Sequence, residues 1–205
     1  MPRRTKEEAA ETRRRILEAA LDVFSRKGYS HTTFVDIARE IGLTKGAIYW
    51  HFKTKPDLLV AMISHVTGKN FPFKGSTPNS IEEFRQMLHD HRRLVTKDKH
   101  FWKLGFFTHF QIEWSEELMT EVHEKLNELR ANPHRKMTET LTHLQEIGEL
   151  CPEADVETMV LTLFAMWLGA VRLLLTEKCS VEQFHTLLER HFEIVVGRYA
   201  TRVTS

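Results

Sequence analysis

Two short helices joined by a tight turn are predicted between Thr33 and Lys55, and this segment constrains the fold more than any other. Thr33 can cap the first helix, and Asp36 three residues later completes a capping box. Gly42 can end that helix, because glycine takes the left-handed conformation without steric cost. Thr44 then caps the second helix at once. Helices joined by so short a turn must cross steeply, which predicts a helix-turn-helix.

The two helices have complementary apolar faces. In the first, which is too short to be stable alone, the apolar residues that recur on one face are Phe34, Ile37, Ala38 and Ile41. In the second, the residues that can face the first helix are Ala47, Ile48 and Phe52. The outward surface of the second helix consists of Thr44, Lys45, Gly46, Tyr49, Trp50 and His51. Such a surface suits a DNA major groove, where the start of a recognition helix meets base edges and its flanks meet phosphates.

A third helix is predicted from Thr54, where Asp57 completes another capping box and Pro56 occupies the first turn. Its free N–H groups beside Lys55 predict a phosphate site. The residues expected to approach bases are Thr44, Lys45 and Gly46. The residues expected to hold phosphates are Thr33, Tyr49, His51 and Lys55. Trp50 is expected to contact DNA or to pack against the protein.

Positive charge is concentrated in the same part of the chain. Residues 1–55 contain 12 lysines and arginines and 7 acidic residues, a net charge of +5. The whole chain contains 29 lysines and arginines and 28 acidic residues. The other 150 residues therefore contain 17 lysines and arginines and 21 acidic residues, a net charge of −4. A helix expected from Ala9 to Lys27 exposes three of these cations, Arg13, Arg14 and Arg15. A basic head on a nearly neutral chain is typical of nucleic-acid binding.

These residues carry a family resemblance. From Glu11 to Leu58 the sequence resembles the DNA-binding region of the TetR family of bacterial transcriptional regulators. The run LTKGAIYWHFKTKPDL, from Leu43 to Leu58, is similar to the AcrR-type members, which repress multidrug efflux genes. Beyond the first quarter to third of the chain, the resemblance is limited to the arrangement of the predicted helices. It implies a cytoplasmic homodimeric repressor that leaves its palindromic operator when a small hydrophobic or aromatic ligand binds, and it does not identify that ligand.

The whole chain is predicted to be all-α, with about nine helices. We expect a helix-turn-helix DNA-binding domain over residues 1–55, a connecting helix over 56–70, and a ligand-binding and dimerisation domain over 71–205. A loop rich in proline and glycine, Asn70 to Asn79, marks the boundary. Later helices are expected from Ser80 to about Thr96, Lys99 to Trp114, Ser115 past Leu129, Met137 to Ile147, Asp155 to about Thr176, and Ser180 to Tyr199. Pro133 is expected to kink or end the helix that contains it.

The segment from Lys99 to Trp114 is the most aromatic part of the chain. At helical spacing it is apolar on more than one side, which predicts burial among other helices. One face could line a cavity for a flat apolar ligand, and plain core packing is the alternative for any single residue. With the family's inducer site as a guide, the candidate pocket residues are Trp102, Phe106, His109, Phe110, Glu113, Met137, Leu141, Phe164 and Trp167.

The last two predicted helices have more apolar surface than a small domain needs, which suggests a partner. In the family that this chain resembles, these helices pair with the same two helices of a second subunit. The candidate interface residues are Leu161, Ala165, Leu168, Gly169, Arg172, Phe184, Leu188, Phe192 and Val195. A two-fold dimer would present two recognition helices about 34–36 Å apart, or a multiple of that distance, to a palindromic site.

Other classes of protein are disfavoured by the sequence. The longest apolar stretch, Met159 to Leu175, is interrupted by Thr162 and Arg172, so we expect no membrane span. The basic N-terminal arm, with Arg3, Arg4 and Lys6, has no apolar segment and predicts neither a signal peptide nor an anchor. The two distant cysteines, Cys151 and Cys179, form neither a metal-binding spacing nor a disulfide framework, which favours a reduced, cytoplasmic setting and leaves a single disulfide as the alternative.

Catalysis and cofactor binding find no support. The chain contains no HExxH motif, no nucleophile elbow and no glycine-rich phosphate loop, so we predict no enzyme, no cofactor and no metal. The pairs His109 with Glu113 and His89 with His91 could each supply only two metal ligands. The remaining alternative is a helical protein-interaction module without a small-molecule ligand. A DNA complex should weaken steeply with salt, which would separate the two functions.

Overall fold

The computed structural model describes residues 5–69, 77–128 and 133–201, and within these ranges the chain is helical with no β-strand. The ten α-helices of these ranges are α1 (Lys6–Lys27), α2 (Phe34–Glu40), α3 (Lys45–His51), α4 (Lys55–Lys69), α5 (Ile81–Val95), α6 (Lys99–Phe106), α7 (Glu116–Glu128), α8 (Pro133–Glu146), α9 (Val156–Leu175) and α10 (Val181–Val195). The all-α class is confirmed. Arg3, Arg4, Leu129 and loop residues 70–76 lie outside the described residues.

Helix starts follow the capping residues in the sequence. Thr33 and Asp36 form the predicted box, with the Thr33 N–H donating to Asp36 Oδ2 at 2.9 Å. Ser180 and Gln183 form another at α10. Thr5 and Glu8 form a third, which begins α1 earlier than predicted because the box supplies acceptors for N–H groups of the first turn. Pro133 begins α8, where a missing N–H costs nothing.

The chain divides into two compact units. The first comprises Met1–Lys69 and His100–Ala131, so α7 and most of α6 join α1 to α4. Its core is a single apolar cluster in which the Phe24 and Phe107 rings stack with centroids 5.8 Å apart. α4 contacts both α1 and α7. The functional division of the chain at residues 55 and 70 stays a prediction.

The second unit comprises Asn70–Lys99 and Asn132–Ser205. Its largest core cluster is formed by α5, α8, α9 and α10, and the Phe84 and Phe192 rings meet there with centroids 5.7 Å apart. A charged group is also buried: Arg92 of α5 is 4% exposed and donates to Glu189 of α10 at 2.7 Å. Arg85 donates to the other oxygen of Glu189 at 2.6 Å. An ion network therefore joins α5 to α10 beside the aromatic core.

The aromatic segment differs from the single predicted helix. α6 ends at Phe106, and a π-helical turn, Phe107–Gln111, follows it. The extra residue in this turn changes which side chains share a face. Phe107 and Leu104 are buried, whereas Phe106 and Phe110 are exposed with ring centroids 5.2 Å apart. The prediction that the segment is buried on more than one side is therefore wrong for these two residues.

The predicted interface residues of α10 are also corrected. Phe184, Leu188, Phe192 and Val195 are buried within their own subunit, so they offer a partner almost no surface. The reason is that their apolar stripe packs on helices of the same unit, where α10 contacts α9 and α5. The most exposed large apolar residue of α10 is Ile194, at 62%.

The other half of the predicted interface is on the surface of the subunit. On α9 the exposed residues recur along one helix face: Leu161, Ala165, Leu168, Gly169 and Arg172. Leu161 and Leu168 are each about half exposed, at 54% and 50%. This exposed face of α9 has a composition that is unusual for contact with water.

α9 also meets the length and composition requirements of a membrane span, with a mean hydropathy of 1.9 and only 22% of the segment buried in the subunit. The expectation that no segment meets these requirements is too strict. Thr162 and Arg172 do not lower the mean hydropathy of so apolar a helix enough. By itself one such helix is weak evidence for a membrane. An apolar face that binds a second protein subunit would give the same composition.

Candidate nucleic-acid interface

The predicted helix-turn-helix forms from α2 and α3. Gly42 takes a φ of +66°, and the Leu43 N–H donates back to the Ala38 carbonyl at 2.8 Å, which closes the turn. Ile48 is fully buried and Phe52 is nearly so, as expected for the face of α3 that packs inward. The opposite face of α3 is therefore held at the protein surface.

The outward face of α3 carries the residues predicted to read DNA. Thr44, Lys45 and Gly46 are exposed at its start, and Trp50, at 72%, is the most exposed large apolar residue of the part of the chain that the structure describes. Thr44 Oγ1 accepts the Ala47 N–H at 3.2 Å as the helix cap. His51 is half-buried and meets Trp50 edge-to-face, with ring centroids 4.6 Å apart. The outward face of α3 thus has a basic residue at its start and two aromatic rings at its end.

Tyr49 is fixed by its neighbours. Its ring packs edge-on against the buried Phe34 ring of α2, with centroids 4.9 Å apart, and it is 48% exposed. The Lys45 ammonium lies over the same ring, 5.3 Å from its centroid. Phe34 therefore supports Tyr49, and Tyr49 supports Lys45. Because these side chains are ordered before DNA arrives, less conformational entropy is lost on binding.

Gly46 has no packing reason to be glycine within the protein. A methyl group at this position would meet only Thr44 Oγ1, at an ordinary distance of 3.8 Å, and the residue is helical. The absence of a side chain instead leaves the helix backbone open to a close approach from outside.

Gly46→Ala is expected to separate folding from DNA binding. The variant should be more stable by about 0.5 kcal/mol, since alanine favours the helix. It should bind DNA less tightly by about 1–3 kcal/mol, the scale of one base contact. Thermal unfolding and titration of labelled DNA measure the two effects. Gly68→Ala in α4, where a methyl group would meet no atom within 4 Å, is the matched control and should leave DNA affinity unchanged. Equal affinity of both variants would contradict a close approach at Gly46.

Thr33 is engaged in its own helix cap. Its hydroxyl donates to Asp36 Oδ2 at 2.8 Å, and Lys27 donates to Asp36 Oδ1 at 2.6 Å. The hydrogen bond from Lys27, followed by those from Thr33, holds the pKa of Asp36 well below its usual range. A phosphate contact by the Thr33 hydroxyl would therefore replace its bond to Asp36.

The role predicted for the Lys55 ammonium does not agree with the structure. This group donates to the carbonyl oxygens of Tyr29 at 2.8 Å, Ser30 at 3.2 Å and Thr32 at 3.2 Å. It also lies over the Tyr29 ring, 4.5 Å from the centroid, and desolvation lowers its pKa. Lys55 thus fixes the loop between α1 and α2. The group that it can still offer to a phosphate is its backbone N–H at the start of α4.

The predicted pocket residues are distributed over the two units. Trp102, Phe106, His109, Phe110 and Glu113 belong to the first unit, and Met137, Leu141, Phe164 and Trp167 belong to the second. Met137 and Leu141 are buried in the second core, and Phe164 stacks on His134 with centroids 5.6 Å apart. Glu113 accepts a hydrogen bond from Ser30 at 3.3 Å. A common pocket for these nine residues stays a prediction.

Two capped helices with an exposed, basic and aromatic second helix define a helix-turn-helix DNA-binding protein. Residues 16–62 match the description "Bacterial regulatory proteins, tetR family". The chain is 31% identical over 177 residues to the HTH-type transcriptional regulator TtgR of Pseudomonas putida, and the match covers 84% of each chain. It is 32% identical over 172 residues to the HTH-type transcriptional repressor BepR of Brucella suis, and that match covers 80% of each chain. The chain therefore belongs to the tetR family of transcriptional regulators, and these relatives are regulators rather than enzymes.

A solved structure shares the fold. The crystal structure of native NalD, the secondary repressor of the MexAB-OprM multidrug efflux pump in Pseudomonas aeruginosa, aligns with a TM-score of 0.72 and 24% sequence identity. The alignment covers 97% of this chain and 100% of NalD. At this identity the likeness supports the fold of the whole chain.

Proposed function

We propose that this protein is a cytoplasmic repressor that binds a palindromic operator as a homodimer. The observation that carries the proposal is the outward face of α3, where Lys45, Gly46 and Trp50 are exposed and Tyr49 is held in place. Lys45 and Gly46 approach bases, and Tyr49 and His51 flank them at phosphates. BepR, at 32% identity, is named as a repressor, which favours repression over activation here.

The second subunit binds to the exposed face of α9, with Ile194 of α10 at the same interface. Half-exposed leucines on a helix this apolar favour a protein partner. A two-fold dimer presents its two recognition helices to successive turns of DNA, which matches a palindrome.

A small hydrophobic or aromatic ligand is proposed to relieve operator binding, and efflux genes are the proposed targets. Support comes from the AcrR-type run Leu43 to Leu58 and from the exposed rings of Phe106 and Phe110. A ligand that favours a different subunit arrangement by about 1–3 kcal/mol would change operator affinity by roughly 5- to 150-fold.

Two substitutions test the assignment of α3. Tyr49→Ala is expected to weaken binding to all DNA sequences, because it removes a phosphate contact and the support of Lys45. Lys45→Ala is expected to weaken binding by about 1–3 kcal/mol and also to alter the preferred sequence, because it removes a base contact. Titration of operator and mismatched duplexes measures both. Wild-type affinity in both variants would show that α3 is not the recognition helix.

A further inference from the structure

An open cavity of about 280 Å³ lies in the first unit beside the end of α3. Its apolar floor is formed by Phe52, Val60 and Ala61, all of which are buried. Its polar lining is formed by Arg13, His51, Lys53, Asp57 and Lys125. Three cations thus face one carboxylate around the cavity.

The carboxylate is already neutralised within the protein. Asp57 Oδ1 accepts a hydrogen bond from Lys125 Nζ at 2.7 Å, and Oδ2 accepts the Thr54 N–H at 3.0 Å as the cap of α4. Desolvation tends to raise the pKa of Asp57, but the hydrogen bonds from Lys125 and Thr54 outweigh it and the pKa is lowered. Asp57 and Lys125 therefore cancel each other, and the net charge of the cavity comes from Arg13 and Lys53.

Arg13 differs from the two arginines that follow it. Arg14 pairs with Glu11 and Glu18, and Arg15 donates to the Ile41 carbonyl at 3.1 Å. The Arg13 guanidinium instead lies over the Phe52 ring, 5.1 Å from its centroid, and no carboxylate of the described ranges pairs with it. Desolvation lowers its pKa, although it stays cationic at neutral pH. A cation held against an apolar ring without a counter-charge favours binding of an anion.

We propose that Arg13 and Lys53 hold a backbone phosphate of bound DNA in this cavity, an inference that rests on the proposed DNA-binding function. His51 is the last residue of α3 and Lys53 lies two residues beyond it, so the flank of the recognition helix leads directly to the cavity. Recognition-helix flanks are where DNA backbones lie. The cavity is open, so a phosphate within a continuous strand can reach the two cations. A free phosphate ion has the same chemistry and is the competing source.

The experiment measures the affinity of one fixed duplex for the full chain at 50, 100 and 200 mM salt. The double variant Arg13→Gln/Lys53→Gln should lose this phosphate contact in each subunit, because either single variant leaves one cation on the same phosphate. Each lost contact reduces the slope of log affinity against log salt by about 0.9, hence about 1.8 for a dimer. The loss of affinity between 50 and 200 mM should accordingly be about tenfold smaller than in the wild type. Arg13→Lys, which keeps the charge, should keep the slope, and Lys178→Gln, an exposed cation of the second unit, should not change it.

A second arm separates the two sources of phosphate. Thermal unfolding of the wild type and of Arg13→Gln is followed in chloride and in inorganic phosphate at equal ionic strength. A wild-type slope in the double glutamine variant would overturn the proposal, and phosphate stabilisation of the wild type alone would then assign the cavity to a free ion. If the wild type bound no duplex at all, the proposed DNA-binding function would be wrong. If inorganic phosphate also failed to stabilise the wild type, the cavity would not be an anion site either.

Discussion

Leu168→Glu is expected to convert the proposed dimer into a folded monomer and to weaken operator binding by about 10²–10⁴-fold, the gain that simultaneous binding of two half-sites supplies. Leu168 lies within the exposed face of α9 and is half exposed in the subunit, so glutamate there meets water in the monomer. In a dimer the same carboxylate would be desolvated without a designed partner. Sedimentation and DNA titration measure the two effects.

The matched control is Leu94→Glu on α5, a leucine of similar exposure at 55%. It adds the same charge to the same unit and should leave dimerisation unchanged. Leu188→Glu provides a second comparison, because Leu188 is only 8% exposed and its substitution should unfold the second unit. A dimer of Leu168→Glu with wild-type sedimentation would place the interface elsewhere.

Glu189→Ala is expected to destabilise the protein by about 3 kcal/mol, because it leaves the buried Arg92 guanidinium without its carboxylate. This loss of stability is at the lower end of the range for breaking a buried ion pair, because the Glu189 side chain is partly exposed. Denaturant unfolding monitored by circular dichroism measures the loss. Glu139→Ala, which breaks a pair of exposed side chains on α8, is the control and should change stability little. Equal stability of the two variants would contradict the role of the network.

The contribution of Glu189 should also depend on pH. Desolvation tends to raise its pKa, but hydrogen bonds from Arg92 and Arg85 outweigh this and hold the pKa below its ordinary value. A carboxylate whose pKa is depressed in the folded state contributes its full stabilisation of the fold above the pKa that it has in the unfolded chain, about 4.3. That stability is lost as pH falls through the lower folded value. The difference between wild type and Glu189→Ala should therefore shrink below about pH 4.

Local signals in the sequence predict several helix starts correctly. Thr33 with Asp36, and Ser180 with Gln183, cap helices where predicted, because a cap depends only on residues three positions apart. Gly42 takes the predicted left-handed conformation for the same reason. The box of Thr5 and Glu8 gives an equally local signal, but it precedes the apolar pattern from which the start of α1 is predicted.

The errors concern contacts between distant parts of the chain. Periodicity shows that one face of α10 is apolar, but it does not show whether the same subunit or a partner covers that face. Phe184 and Phe192 were therefore assigned to the interface although they lie in their own core. The sequence does not show that the Lys55 ammonium donates to carbonyl oxygens that lie 23 to 26 residues away. Arg92 had no signal at all, since its partner Glu189 is 97 residues distant.

The most direct test of operator binding by α3 is the selection of bound sequences from random duplex DNA at two salt concentrations. We expect the wild-type protein to enrich a single palindrome and to bind it more weakly as salt rises, because counterions are released on binding. Such a sequence would also serve as the probe in a screen for ligands that release the protein. Failure of folded, dimeric protein to enrich any sequence would contradict operator binding by α3 and would favour a protein-interaction role.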